Sequence, residues 1–249
     1  MRLFAILFSL SFFFTACSTQ SNTNPREYQV GAYLWQQTSG EYRALTYQAY
    51  NWAQRLVERD LENKHNKKRA VIFDIDETVL DNTFSGAREI KDGIPWKEEL
   101  FNEWVKLRKA VAIPGALEFI KFLEANNVEV FYISNRRVED FDPTFANLQA
   151  EGFPVKKENL LLKTNTSGKE VRRQEVDKKH EIVILVGDNL TDFHKDFDKT
   201  TTEERNALVK KWRAEFGTRY IVLPNPLYGD WERALPHTKD RLEHLKLNP

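Results

Sequence analysis

The sequence predicts an α/β protein: a largely parallel sheet covered by helices on both faces, preceded by a helical N-terminal segment. Two observations predict it. Short apolar runs rich in β-branched and aromatic residues recur along the chain, each too brief for a helix. Charged helical patterns separate them, and that alternation of β and α elements is what a parallel sheet with crossover helices requires.

In chain order, Tyr28 to Asn63 carries Leu45, Ala49, Trp52 and Leu56 at steps of four, three and four, the spacing of one helix face. Tyr28, Tyr33, Trp35, Tyr42, Tyr47 and Tyr50 enrich this lead-in and are expected to pack it on the core. Lys64 to Arg69 is expected as a solvated turn. Strands follow at Ala70–Phe73, Val128–Ile133, Ile182–Val186 and Tyr220–Leu223, with helices at Leu117–Ala125, Phe145–Glu151, Gly168–Lys179 and Thr202–Phe216.

With 249 residues, 41% apolar and 30% charged, the chain is long enough for a sizeable core, and disordered, collagenous and multispanning classes are excluded. Thirty-seven basic residues balance thirty-seven acidic ones, so no overall field attracts a nucleic acid polymer. A single cysteine, Cys17, leaves no disulfide framework and no Cys-rich zinc site.

Arg2 precedes an apolar run, Leu3 to Phe14, long enough for an export signal and too short to span a bilayer. Thr15 and Ala16 then precede Cys17, and Ser18 to Asn24 is polar. This resembles a bacterial lipobox, which implies a signal peptide over 1–16, acylation of Cys17 and a polar tether over 17–27. Because position 18 is not Asp, an outer-membrane lipoprotein is expected, with a secreted or periplasmic protein as the alternative.

In open α/β sheets the ligand lies beyond the carboxyl ends of the strands. The first strand runs into Asp74-Ile75-Asp76-Glu77-Thr78, and residues two apart in an extended segment project to one side, so Asp74 and Asp76 can share a crevice. The second ends in Ser134-Asn135-Arg136, groups that bind oxyanions. The third ends in Gly187-Asp188, with Asp192 four residues on; Gly187 is expected to admit a ligand. Four acids at one sheet edge form a hard oxygen site that suits Mg²⁺ better than zinc or copper.

These residues resemble the haloacid dehalogenase superfamily, and the finer wording resembles its class C acid phosphatases, bacterial outer-membrane lipoproteins similar to 5′-nucleotidases. The matching stretches are Val71–Asn82, Ser134–Arg136, Leu160–Lys163, Val183–Phe193 and Leu223–Glu232, with Ser85 in place of a usual tyrosine. The resemblance implies a Rossmann-like phosphatase domain over 28–249, with the lead-in at 28–63, the α/β core at 69–249 and a cap insertion around 84–112. It implies that Asp74 is a nucleophile forming an aspartyl phosphate and Asp76 the general acid/base. Asp188, the Asp74 carboxylate and the Asp76 main-chain carbonyl would ligate Mg²⁺, with Asp192 supporting it. Ser134, Asn135 and Lys163 would hold the phosphoryl oxygens, and Phe101 and Tyr228, with Trp231 a weaker candidate, would stack on a nucleobase.

Three alternatives stay open from the residues alone: Lys163 as a surface lysine on an edge strand, Arg136 as a structural ion-pair partner, and His194 as a neighbour of the metal site. The expected activity is Mg²⁺-dependent hydrolysis of 5′-nucleotides or other small organic phosphates. The expected partners are that phosphomonoester, a membrane through the anchor on Cys17, and a second copy in a homodimer. The alternative is a non-catalytic surface lipoprotein that binds a nucleotide or another planar ligand on the same fold, and Asp74, Asp76 and Thr78 argue against it, since a binder needs no nucleophile.

Overall fold

The computed structural model describes residues 24–198, 200–236 and 241–248. The expected signal peptide, Cys17 and the first part of the tether lie outside these residues. Five strands, β1 (Lys68–Phe73), β4 (Glu129–Arg137), β5 (Leu160–Lys163), β6 (His180–Gly187) and β7 (Tyr220–Val222), form one sheet in the order β5-β4-β1-β6-β7. Every pairing in it is parallel. A separate two-stranded ribbon, β2 (Leu80–Asp81) against β3 (Val111–Ala112), is antiparallel.

Period-two alternation along β1 divides the core in two. Val71 and Phe73 join Val130, Tyr132, Ile184 and Val186 on one face, while Ala70 and Ile72 join Phe131, Ile133, Ile182 and Leu185 on the other. Ala70 to Phe73 of β1 are all buried, so this part of the strand is apolar on both sides, as a central parallel strand must be. The short run Leu160–Lys163, not among the four expected strands, supplies the edge strand β5.

The lead-in is two helices, α1 (Val30–Thr38) and α2 (Gly40–Leu61), broken where the Ser39 side chain accepts from the Tyr42 N–H and caps α2. The face that α2 buries is Tyr42, Thr46, Tyr50, Ala53 and Val57. The expected stripe is therefore displaced: Leu45 and Trp52 are exposed, and Ala49 and Leu56 only flank the core. The larger aromatic Tyr50 takes the centre, packs on Phe119 and donates its hydroxyl to the Thr78 carbonyl at 2.5 Å. Of the other lead-in aromatics, Tyr33 is buried, whereas Tyr28 and Tyr47 are exposed.

The described residues include the end of the expected tether, 24–27. Arg26 is buried, ion-paired with Glu89 and bonded to Gln29 and Tyr33, because a guanidinium taken from water needs several acceptors. Glu89 belongs to α3 (Thr83–Lys91), which with α4 (Glu98–Leu107) forms an excursion between β2 and β3. Gln29 also reaches the Leu227 carbonyl at 2.6 Å, so the lead-in holds both this excursion and the 225–229 loop.

The remaining helices are α5 (Ala116–Ala125), α6 (Phe141–Ala150), α7 (Glu170–Asp177), α8 (Thr202–Lys211) and the short α9 (Asp230–Arg233). α6 starts ahead of its expected position because Pro143 sits in its first turn, where no hydrogen bond is lost. α8 opens on a capping box between Thr201 and Glu204 and ends short of Phe216. Among the described residues no helix is long and apolar enough to cross a membrane.

Candidate active site

The acids gather where β1, β4 and β6 end. The Asp74 N–H continues the ladder by donating to the Val186 carbonyl at 3.0 Å. The chain then reverses sharply: the Ile75 carbonyl collects the N–H groups of Thr78, Val79 and Leu80, and Glu77 takes a left-handed φ of 55°. This turn sets Thr78 beside the next strand, where its hydroxyl meets Asp188 at 3.2 Å. Asn225 donates to the other Asp188 oxygen at 2.8 Å.

One carboxylate oxygen from each of Asp74, Asp188 and Asp192 lies within 4.8 Å of the others. Asp192 is placed by its own loop, accepting from the Asn189 N–H at 2.9 Å. A Cβ at position 187 would fall 2.4 Å from Asp192 Oδ2. Gly187 thus makes room for the Asp192 side chain.

One lysine serves this trio. Lys169, buried just before α7, donates from Nζ to Asp74 at 2.5 Å and to Asp192 at 2.6 Å. Burial pushes Asp74 up to about 7, with Lys169 opposing and Asp192 and Asp76 assisting. Burial also raises Asp188 well above the ordinary range, with Asp192 and Asp74 adding to it. Burial alone would lower Lys169, but Asp192 and Asp74 outweigh it and hold the amine protonated. Three carboxylates therefore crowd around one ammonium, an excess of acid that a divalent cation would balance, and the donors are all hard oxygens.

Asp76 faces a different set of partners. Arg136 reaches it from Nη2 at 2.8 Å and Nε at 3.0 Å, Asn82 donates to it at 2.9 Å, and the Ser134 hydroxyl lies 3.4 Å away. The open question over Arg136 is resolved as an ion pair with Asp76 itself. The Asp76 side chain is absent from the metal-capable trio.

The amine that the structure brings to the carboxylates is that of Lys169, not that of Lys163. Lys163 ends edge strand β5, and its amine turns outward to Glu98 of α4 at 3.4 Å. Ser134 is fully buried with its hydroxyl at Asp76, whereas Asn135 is exposed and its amide oxygen accepts from Arg172 at 2.8 Å. Arg172 also holds the Ser134 carbonyl at 2.6 Å, tying the end of β4 to the start of α7. His194 is engaged with the Asp196 N–H and the Trp212 ring rather than with the carboxylates.

Phe101 is half-buried on α4, which Trp104 anchors to Asn82 at 2.9 Å, on the Asp76 side. Tyr228 is partly exposed, three residues after Asn225, on the Asp188 side. Trp231 is more exposed and donates to the Tyr228 carbonyl at 3.1 Å. Sequence reasoning missed Lys169, Arg172, Asn82 and Asn225. The available signal for the first two was the Ser167-Gly168 pair opening a helix, which places the residues just after it at a strand-end crevice.

These shifts set a pH dependence. Asp74 is ionised in the unfolded chain above about 3.8 and in the folded metal-free protein only above about 7, so the folded state holds the extra proton between these values. Stability of the metal-free protein is expected to fall as pH rises through that window, with Asp188 acting in the same direction. Thermal unfolding in chelator checks this, and an added divalent cation should restore the loss at neutral pH in the wild type but not in Asp188→Ala.

A family model described as HAD superfamily, subfamily IIIB (acid phosphatase) matches residues 14–231. The fold is similar to the class C acid phosphatase of Bacillus anthracis, 39% identical, with a TM-score of 0.86 over 91% of this chain and all of that one. The tungstate-bound form of a class C acid phosphatase from Bacillus anthracis is likewise 39% identical, with a TM-score of 0.83 over 89% of this chain and 94% of that one. The stem 28 kDa glycoprotein of Glycine max is 27% identical over 202 residues, 78% of this chain and 70% of its own length.

Proposed function

The chain belongs to subfamily IIIB of the HAD superfamily, the acid phosphatases, and on that premise we propose a Mg²⁺-dependent phosphomonoesterase that acts on 5′-nucleotides or similarly small organic phosphates through an aspartyl phosphate at Asp74. The observation that carries it is the trio of Asp74, Asp188 and Asp192, with the buried Lys169 bonded to Asp74 and Asp192. When bound among these oxygens, Mg²⁺ supplies positive charge that offsets the repulsion between a carboxylate and an anionic ester.

The residues of the chain then have distinct work. Asp74 attacks phosphorus in line with the leaving oxygen. Lys169 and the Ser134 hydroxyl take charge that spreads over the equatorial oxygens. Asp76, aimed by Arg136 and Asn82, protonates the leaving alkoxide; as a carboxylate it then removes a proton from the water that cleaves the aspartyl phosphate, which frees phosphate and regenerates Asp74. The tungstate bound by the Bacillus anthracis relative is a tetrahedral oxyanion, which supports an oxyanion pocket here. The test is phosphate release from a panel of small esters by protein lacking residues 1–17, with and without Mg²⁺. Release that needs Mg²⁺ supports the proposal, and no release from any ester contradicts it.

For the leaving group, Phe101 and Tyr228 stack on a base from the two flanks of the site. Truncating either to Ala is expected to lower kcat/KM for a nucleoside monophosphate about two- to tenfold relative to a small aliphatic phosphate. Equal losses on both esters would make these aromatics packing residues. The chain is exported and anchored by acyl chains on Cys17, supported by Arg2, the apolar run Leu3–Phe14 and Thr15-Ala16-Cys17. In a bacterial host, Cys17→Ser is expected to abolish fatty-acid incorporation and release the protein from the outer membrane. Sedimentation equilibrium of the soluble protein tests the homodimer.

A further inference from the structure

Asn82 occupies the cap position at the start of α3, where an asparagine side chain ordinarily accepts from the first turn of its helix. It makes no such bond. Asp81 instead accepts the Thr83 N–H at 2.8 Å, and the Asn82 amide turns into the active site. Its Nδ2 donates to Asp76 at 2.9 Å and to the Leu80 carbonyl at 3.4 Å. Its Oδ1 accepts from Trp104 Nε1 at 2.9 Å and from Arg136 Nη2 at 3.4 Å. The Asn82 N–H is itself pinned by the buried Glu77 carboxyl at 2.9 Å.

The two ends of an amide have nearly the same shape, so its orientation is set by what faces it. An indole N–H can only donate, and so can a guanidinium. Both therefore demand the Asn82 oxygen, and the Asn82 NH₂ is left to Asp76. A flipped amide would set its oxygen against the Asp76 carboxylate and its NH₂ against two donors. Trp104 makes the shorter of the two bonds that forbid this, and it stands on α4, outside the sheet and its strand-end loops. That helix packs against the 138–140 turn and α6 and carries Phe101 one turn earlier.

We infer that Trp104 is a positioning residue: its indole N–H fixes the Asn82 amide and so couples the seating of α4 to the aim of the Asp76 carboxyl. The inference rests on the role proposed for Asp76. It joins the part of the molecule that meets the leaving group to the group that protonates it.

An aryl ester with an acidic phenol departs with little help from a general acid, whereas an alkyl ester needs it. In Trp104→Phe, which keeps the ring and removes the donor, kcat/KM for an alkyl phosphate is expected to fall about tenfold, with nitrophenyl phosphate changed less than about twofold. Asn82→Ala should show the same selectivity, and the double variant should lose no more than the larger single loss. Equal losses on both esters, no loss on either, or losses that multiply in the double variant would overturn the inference. If Trp104→Phe does not fold, the indole ¹H–¹⁵N resonance of Trp104 in the otherwise native chain carries the test: it should move in Asp76→Asn, and an unmoved resonance overturns the inference. Failure of the underlying function looks different, as a wild type without phosphatase activity or an Asp76→Asn protein with undiminished alkyl ester hydrolysis.

Discussion

Asp74→Asn is expected to reduce turnover by several orders of magnitude, to below about 1% of wild type, because an amide keeps the shape of the side chain but cannot become the phosphorylated group. The fold should survive. Lys169 retains Asp192 at 2.6 Å, and removing one carboxylate relieves the crowding that raises Asp74 and Asp188. The thermal midpoint of the metal-free variant should therefore match or exceed that of the wild type above pH 7. Phosphate release and thermal unfolding on one preparation check both parts. Turnover near the wild-type rate would remove Asp74 from the chemistry, and a collapsed fold would make its role structural.

The second large effect separates two lysines. Lys169→Met is expected to lower kcat/KM by at least about a hundredfold, the scale found when a donor aimed at developing negative charge is removed. It should also destabilise the metal-free protein, since truncating one member of a buried charge cluster leaves its partners uncompensated, at a cost of about 3–5 kcal/mol. Lys163→Met should change kcat/KM less than about twofold, because its amine is held only in a surface pair with Glu98 at 3.4 Å. Rates and urea unfolding of the two variants side by side decide it. A hundredfold loss in Lys163→Met with an active Lys169→Met would reverse the assignment.

That contrast shows where the sequence was legible. Strand ends were, because a buried parallel strand must be an apolar run and the first polar residues after it lie at the sheet edge; Asp74, Ser134 and Asp188 follow from that rule. Lys163 was expected from the resemblance alone; it ends β5, the edge strand, and that end opens toward Glu98. Lys169 sits after a loop whose path depends on tertiary contacts, chiefly Arg172 holding Ser134 and the 167–168 carbonyls. The buried face of α2 was off by a step because apolar spacing weighted Leu45 and Trp52 above Tyr42 and Tyr50, and an aromatic with one hydroxyl to satisfy can bury deeper than either. Asn82 read as part of a motif, but its use against Asp76 and Trp104 is invisible until α4 is in place.

If Asp74 accepts the phosphoryl group, the intermediate can be trapped on it. Enzyme mixed with Mg²⁺ and a phosphomonoester, quenched in acid within a turnover and reduced with borohydride, converts an aspartyl phosphate to a reduced residue that mass spectrometry can locate. Modification is expected in the 70–82 segment at position 74 alone, absent from Asp74→Asn and from enzyme without substrate. Modification at Asp76, Asp188 or Asp192, or steady turnover with no trapped carboxylate, would contradict it.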